Sequence, residues 1–251
     1  MEQVTEKTTK TGGVLGDMFR VGAHFAYSKA RRHPTVSRYI FGAKNNVEIF
    51  DLEKTEELLL RAKEYVAKLA LDRKQVLFVG GKNEAKDIVR QAALSLDMPF
   101  VAGRWIGGTL TNFSEIKKRI GRLEKLTEEK EKGELSKYTK REQLLLSREM
   151  DGLADVFGGL VTMKELPAAL FVIDTRREHI AVKEAKKMNI PVIGLMNSDC
   201  DFTSAEYPIL ANDASIHSIA FFVNEIATTY ASHKATLKQA VPAEDEGVGE
   251  K

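Results

Sequence analysis

The residues with the types and spacing to do chemistry in this 251-residue chain are few: a Gly-Gly-Lys turn, one cysteine between two aspartates, and five histidines. Val79-Gly80-Gly81-Lys82-Asn83 follows an apolar run and resembles a phosphate-cradling loop, in which backbone N–H groups meet phosphate after a strand. That loop needs a glycine five residues before its Gly-Lys pair and a hydroxyl after the lysine. Val76 and Asn83 stand there instead, so both the tight turn and the magnesium-binding hydroxyl are missing. Gly103, Gly107 and Gly108 lack the dinucleotide-binding spacing, and neither a G-x-S-x-G elbow nor an H-E-x-x-H pair occurs. Asp199 and Asp201 flank Cys200 and would raise its pKa, which makes it a poor nucleophile. His24, His33, His179, His217 and His233 show no ligand spacing. Asp174 ends an apolar run where open α/β sheets hold ligands, but capping a helix that begins at Arg176-Arg177-Glu178 is the better account of it. The chain is read as no enzyme, with no catalytic residue.

The elements that carry these residues alternate. Val76-Leu77-Phe78-Val79 is a continuous apolar run, as expected of a strand covered on both faces. Pro99, Pro167 and Pro191 each precede an apolar run, where a residue without an N–H suits a strand's start. Helices are expected over 55–71, from an N-cap at Asn83 to about residue 98, over 177–188 and over 215–230. Strand–helix–strand repetition means a doubly wound parallel α/β sheet. Residues 39–41 and 47–50 flank Gly42-Ala43-Lys44-Asn45-Asn46 as a small hairpin. One cysteine excludes a disulfide framework, and no run approaches the roughly 20 apolar residues of a bilayer span, so a soluble, cytoplasmic protein without membrane contact is expected. The N-terminal residues lack the apolar core of a secretory signal.

Charge is distributed unevenly. Lys and Arg number 38 against 36 Asp and Glu, yet residues 18–47 hold no acid at all. That stretch carries Arg20, Lys29, Arg31, Arg32, Arg38 and Lys44, with Phe19, Phe25, Tyr27, Tyr39 and Phe41 interleaved. Cations neutralise phosphates and rings stack on unpaired bases, so the pattern suits nucleic acid. Between residues 114 and 150 lie eleven basic and eight acidic residues, with apolar seams Phe113, Ile116, Ile120, Leu123 and Leu146, Met150, Leu153, Phe157. These predict two helices folded back near Lys132-Gly133-Glu134 as an antiparallel coiled-coil hairpin.

Five motifs in order resemble the bacterial-type ribosomal protein S two family. They are Gly22-Ala23-His24-Phe25; Tyr39 to Asn45 leading into Asp51-Leu52-Glu53; Leu77 to Lys82; Arg104-Trp105-Ile106-Gly107-Gly108-Thr109-Leu110-Thr111-Asn112; and Ile173-Asp174 with Glu178-His179-Ile180-Ala181 and Ile190-Pro191. The resemblance spans about residues 15–231. It implies a flavodoxin-like core over 14–108 and 158–233 with the hairpin 109–157 inserted. Disordered tails are expected at 1–13 and, acidic, at 234–251. It further implies a structural constituent of the small ribosomal subunit, bound to ribosomal RNA and to neighbouring subunit proteins, helping to anchor ribosomal protein S one. The chain is not expected to be a homo-oligomer. Some family members hold a metal between the motif histidine and acidic loop residues. His24 and Asp213 are present here, but Asn197 stands where an acid is usual, so zinc or magnesium is carried only as an option. Ala26-Tyr27 and Leu210-Ala211 also depart from the family's usual residues.

On this reading Arg20, Lys29, Arg31, Arg32, His33, Lys44, Asn45, Lys82, Arg104 and Trp105 are the expected RNA contacts. Two rivals stay open: a nucleotide-using enzyme of related fold, and a protein adaptor working through the hairpin.

Overall fold

The structure is a computed structural model that describes residues 13–239. Residues 1–12 and 240–251, where most of the two tails was expected, lie outside it. Fourteen helices and strands are named in chain order: α1 (Val14–Arg20), β1 (Ile40–Lys44), β2 (Val47–Phe50), α2 (Leu52–Leu71), β3 (Val76–Val79), α3 (Asn83–Leu96), β4 (Phe100–Val101), α4 (Phe113–Glu131), α5 (Lys140–Phe157), β5 (Ala169–Ile173), α6 (His179–Lys187), β6 (Val192–Met196), β7 (Tyr207–Leu210) and α7 (Ile216–Gln239).

The continuous apolar runs become fully buried strands, every residue of β3, β5 and β6 included. Five strands pair in parallel in the order β4-β3-β5-β6-β7. Counted from β3, that is the flavodoxin-like order 2-1-3-4-5, whose direction switches between β3 and β5. Side chains alternate between two cores, as the pleat requires. Val76, Phe78, Phe171, Ile173, Ile193 and Leu195 face α2, α3 and α7 on one side. Leu77, Val79, Leu170, Val172 and Val192 face α6, the start of α4 and the N-terminal segment on the other.

Four expectations shift. Helix α2 begins at Leu52 rather than residue 55, with Asp51 accepting from the Thr55 N–H at 3.1 Å. Lys82, not Asn83, is the N-cap of α3: its backbone is extended, and Asn83 is the first helical residue. Helix α6 starts two residues later than expected because Asp174, at φ 65°, opens a turn closed by the Glu178 N–H on the Asp174 carbonyl. Helix α7 runs on to Gln239, through the first six residues of the stretch expected as a tail.

Strand β7 was not foreseen. Its Pro208 sits on an edge strand opposite Gly194, where a missing N–H leaves no ladder bond unmade. Helices α4 and α5 reverse through Gly133 in the left-handed region, and a Thr139–Glu142 capping box starts α5. Ile116, Ile120, Leu123 and Leu126 are buried along α4. Arg122 donates two 3.0 Å bonds to Glu149 across the pair.

Candidate nucleic-acid interface

The switch between β3 and β5 is where this architecture normally opens a ligand crevice. Here the chain's own side chains fill it. Lys82, only 8 % exposed, sends its Nζ to Asp174 Oδ2 and to Asp213 Oδ2, each at 2.7 Å. Asn197 donates to the other Asp213 oxygen at 3.0 Å. Asp174 also accepts from the Arg176 and Arg177 N–H groups, so the capping role and the ion pair coexist. Burial opposes the Lys82 charge, but the two carboxylates outweigh it and hold the ammonium above its ordinary pKa. Burial, with Asp174 nearby, pushes the Asp213 carboxyl up, since two carboxylates share one cation. Burial likewise pushes the Cys200 thiol up to about 12, which removes it as a nucleophile. Gly81 completes the closure: a β-carbon there would run into the buried Glu178 carboxylate.

Lys82 was expected to meet RNA; it is instead an internal counter-ion. Trp105 is also corrected. It is 5 % exposed and donates its Nε1 to Glu184 Oε1 at 3.2 Å, so no base can stack on it. Glu184 further accepts from the N–H groups of Gly108, Leu110 and Thr111 at 2.7–3.2 Å. Burial alone would raise this carboxyl, but these donors bring it below its ordinary value. One buried acid thus folds the whole Trp105–Thr111 loop.

The metal option does not fit the donors. Both Asp213 oxygens are taken, one by the Lys82 ammonium and the other by the Asn197 amide. The His24 ring stacks on Phe19 at 4.5 Å and meets Phe25 at a tilt at 4.1 Å, and its buried Nδ1 has no hydrogen-bond partner among the described residues. Among the described residues no three His, Cys, Asp or Glu side chains gather as a metal site.

The acid-free segment is fastened along the carboxyl edge of the sheet. Phe50 N–H donates to the His24 carbonyl, Ala26 N–H to Glu48, and Glu48 N–H to Tyr27, at 2.8–3.2 Å, so 24–27 runs beside β2. Tyr27 N–H donates to Ser198 Oγ at 3.1 Å and His33 N–H to the Ser198 carbonyl at 2.8 Å, which ties the segment to the loop after β6. Asn45 and Asn46 adopt φ of 51° and 63° at the β1–β2 tip, beside exposed Lys44.

A sequence model of the family described as Ribosomal protein S2 matches residues 18–232. The chain belongs to the ribosomal protein S2 family. The small ribosomal subunit protein uS2 of Chlorobium luteolum is 40 % identical over 231 residues, covering 92 % of this chain and 91 % of that protein. The uS2 protein of a Nitratiruptor species is 39 % identical, covering 92 % and 87 %. That of Sulfurimonas denitrificans is 42 % identical, covering 88 % and 85 %.

Against this family background the expected contacts sort by exposure. Arg20, Lys29, Arg31, Lys44, Asn45 and Arg104 are at the surface. Arg32 and His33 are half-buried; Arg32 donates to Glu48 Oε1 at 2.8 Å, and Glu48 is 2 % exposed. Arg31 lies 4.1 Å from the Tyr27 ring centroid and 3.5 Å from Asp199. Sequence reasoning missed Arg38, exposed and set against the Tyr39 and Phe202 rings at 4.9 and 5.4 Å, although the acid-free window contains it. It also missed Glu184 and Asp199, which position other groups from distant parts of the chain.

Proposed function

We propose that this chain, a structural constituent of the small ribosomal subunit, binds ribosomal RNA through the exposed cations of residues 18–47 and helps to anchor ribosomal protein S one. The family is structural rather than enzymatic, and its members work on the ribosome in the bacterial cytoplasm. One observation carries the RNA reading: a thirty-residue segment without an acid is pinned by backbone bonds along the sheet edge, while the crevice behind it is filled by Lys82 and two aspartates. Arg20, Lys29, Arg31, Lys44, Asn45 and Arg104 supply contact, with His33 and Arg32 at the margin. Phosphate contact gives affinity and the shape of folded RNA gives the address, because the deep groove of A-form RNA hides its bases. A single copy acts in each subunit, and the reading needs no cofactor.

If about six phosphates are neutralised, affinity for deproteinised small-subunit RNA should fall on the order of a thousandfold between 50 and 200 mM salt. Binding that ignores salt would contradict the reading. The anchoring of ribosomal protein S one rests on the family resemblance. Subunits assembled without this chain should carry much less of that protein, and equal amounts would remove this part.

A further inference from the structure

Beside the N-terminal segment runs a groove that the sequence reading left without a function. It has a volume of about 640 Å³, between the turn at Arg31–Pro34 and the outer face of α6. Arg176, His179, Lys183 and Lys186 are spaced three, four and three apart, so they share one face of the turn and helix that form the second wall.

We propose that this groove holds a phosphodiester strand of ribosomal RNA, gripped by Arg31 on one wall and by Arg176, Lys183 and Lys186 on the other. The proposal rests on the RNA-binding reading above and extends it from Arg31 to a second wall, the 176–186 face, which lies outside residues 18–47.

The electrostatics favour an anion. Asp199, nearly buried, accepts from Arg31 at 3.5 Å and from Arg176 at 2.8 Å. One carboxylate therefore holds two guanidinium groups in place, leaving surplus positive charge and unused N–H donors on both. Lys186 bonds only the neutral Thr203 carbonyl, at 2.9 Å, and Lys183 has no ion-pair partner among the described residues. Asp201, the other acid in the lining, is engaged by the Thr203 N–H and hydroxyl at 2.9–3.0 Å.

Shape and composition favour a strand over a small anion and phosphates over bases. From His179 to Lys186 the helix rises about 10 Å, longer than one phosphate group. The lining holds no Phe, Tyr or Trp on which a base could stack. Recognition there is of backbone charge, independent of sequence.

The test uses the full chain with Lys183→Ala/Lys186→Ala, and with Arg20→Ala/Lys44→Ala as the reporter of the N-terminal cations. Affinity for deproteinised small-subunit ribosomal RNA is measured from 50 to 200 mM salt, with melting temperature as the folding control. The groove variant should melt with the wild type, bind at least tenfold more weakly at 100 mM salt, and lose about two from the slope of log affinity on log salt. Wild-type affinity and slope in the groove variant, with the N-terminal variant weakened, overturns the groove and leaves the RNA reading standing. Failure of the wild-type chain to bind overturns both. Inorganic pyrophosphate that binds the wild-type chain, not the groove variant, and leaves RNA bound would mark a small-anion site and overturn the proposal.

Discussion

The ammonium of Lys82 lies 2.7 Å from Asp174 Oδ2, across the gap between the carboxyl ends of β3 and β5. In nucleotide-binding relatives of this topology that gap receives the ligand. Here the lysine that follows the glycine pair points inward and neutralises an aspartate 92 positions later, with Asp213 as a second partner. The same residues that resemble a phosphate loop thus close the crevice, and contact with other molecules is left to the surface around it.

Replacing Lys82 with alanine should therefore act on the fold and not on RNA. Two buried carboxylates would lose their shared cation, at a cost of about 3–5 kcal/mol. Urea titration should show that loss, while RNA affinity per folded molecule stays at the wild-type value. A stable Lys82→Ala protein with weakened RNA binding would restore the lysine as a contact.

Alkaline pH should destabilise the protein, with Cys200 and Lys82 among the groups responsible. Cys200 keeps its proton in the folded state up to about 12, whereas an unfolded thiol releases it near 9. Lys82 is likewise held protonated above its ordinary 10.5. In both cases the folded state binds more protons than the unfolded one, so stability falls as pH rises above about 9. Cys200→Ala should flatten the first part of that fall. Equal slopes for the variant and the wild type between pH 9 and 10.5 would count against it.

Much of the scaffold was legible because parallel strands buried on both faces leave continuous apolar runs at 76–79, 169–173 and 192–196. Strand β7 was not, because Pro208 reads as a break unless the strand is known to lie at an edge. The acid-free window marked the cationic segment correctly as a surface feature, yet it could not sort its members. Arg32 turns inward because Glu48, one residue beyond the window, is buried. Lys82 with Asp213 and Trp105 with Glu184 are pairs 131 and 79 positions apart. No local periodicity encodes such pairs, since the sheet order alone brings them together.

The loop Trp105–Thr111 should respond to acid through Glu184. Its carboxyl sits below the ordinary 4.5 in the folded state, so its stabilisation is present above that value and fades as pH falls through the folded one. The chain has one tryptophan, whose fluorescence should shift as its hydrogen bond to Glu184 is lost. Glu184→Ala should expose Trp105 already at neutral pH and cost about 3 kcal/mol or more, because several buried donors lose their acceptor. An unshifted spectrum in that variant would show that other contacts hold the loop.

Arg31 and Arg32 are neighbours with opposite commitments, and single variants should separate them. Arg31 is more than half exposed and shares Asp199 with Arg176, so its removal leaves that carboxylate paired. Arg31→Ala should keep the wild-type melting temperature and weaken RNA binding. Arg32 is the ion-pair partner of Glu48, whose other carboxylate oxygen, Oε2, is buried without a hydrogen bond. Arg32→Ala strands that charge, at about 2 kcal/mol after allowing for the partly exposed guanidinium. For a chain of this size that is a fall of about 4–8 °C in melting temperature. Arg32→Ala/Glu48→Gln should recover much of the loss, since the uncompensated charge is gone, and RNA affinity in the rescued protein then reports Arg32's own contact. If Arg32→Ala melts with the wild type, the pair is not holding β2 to the N-terminal segment, and the backbone bonds of residues 24–27 alone fix the cationic edge.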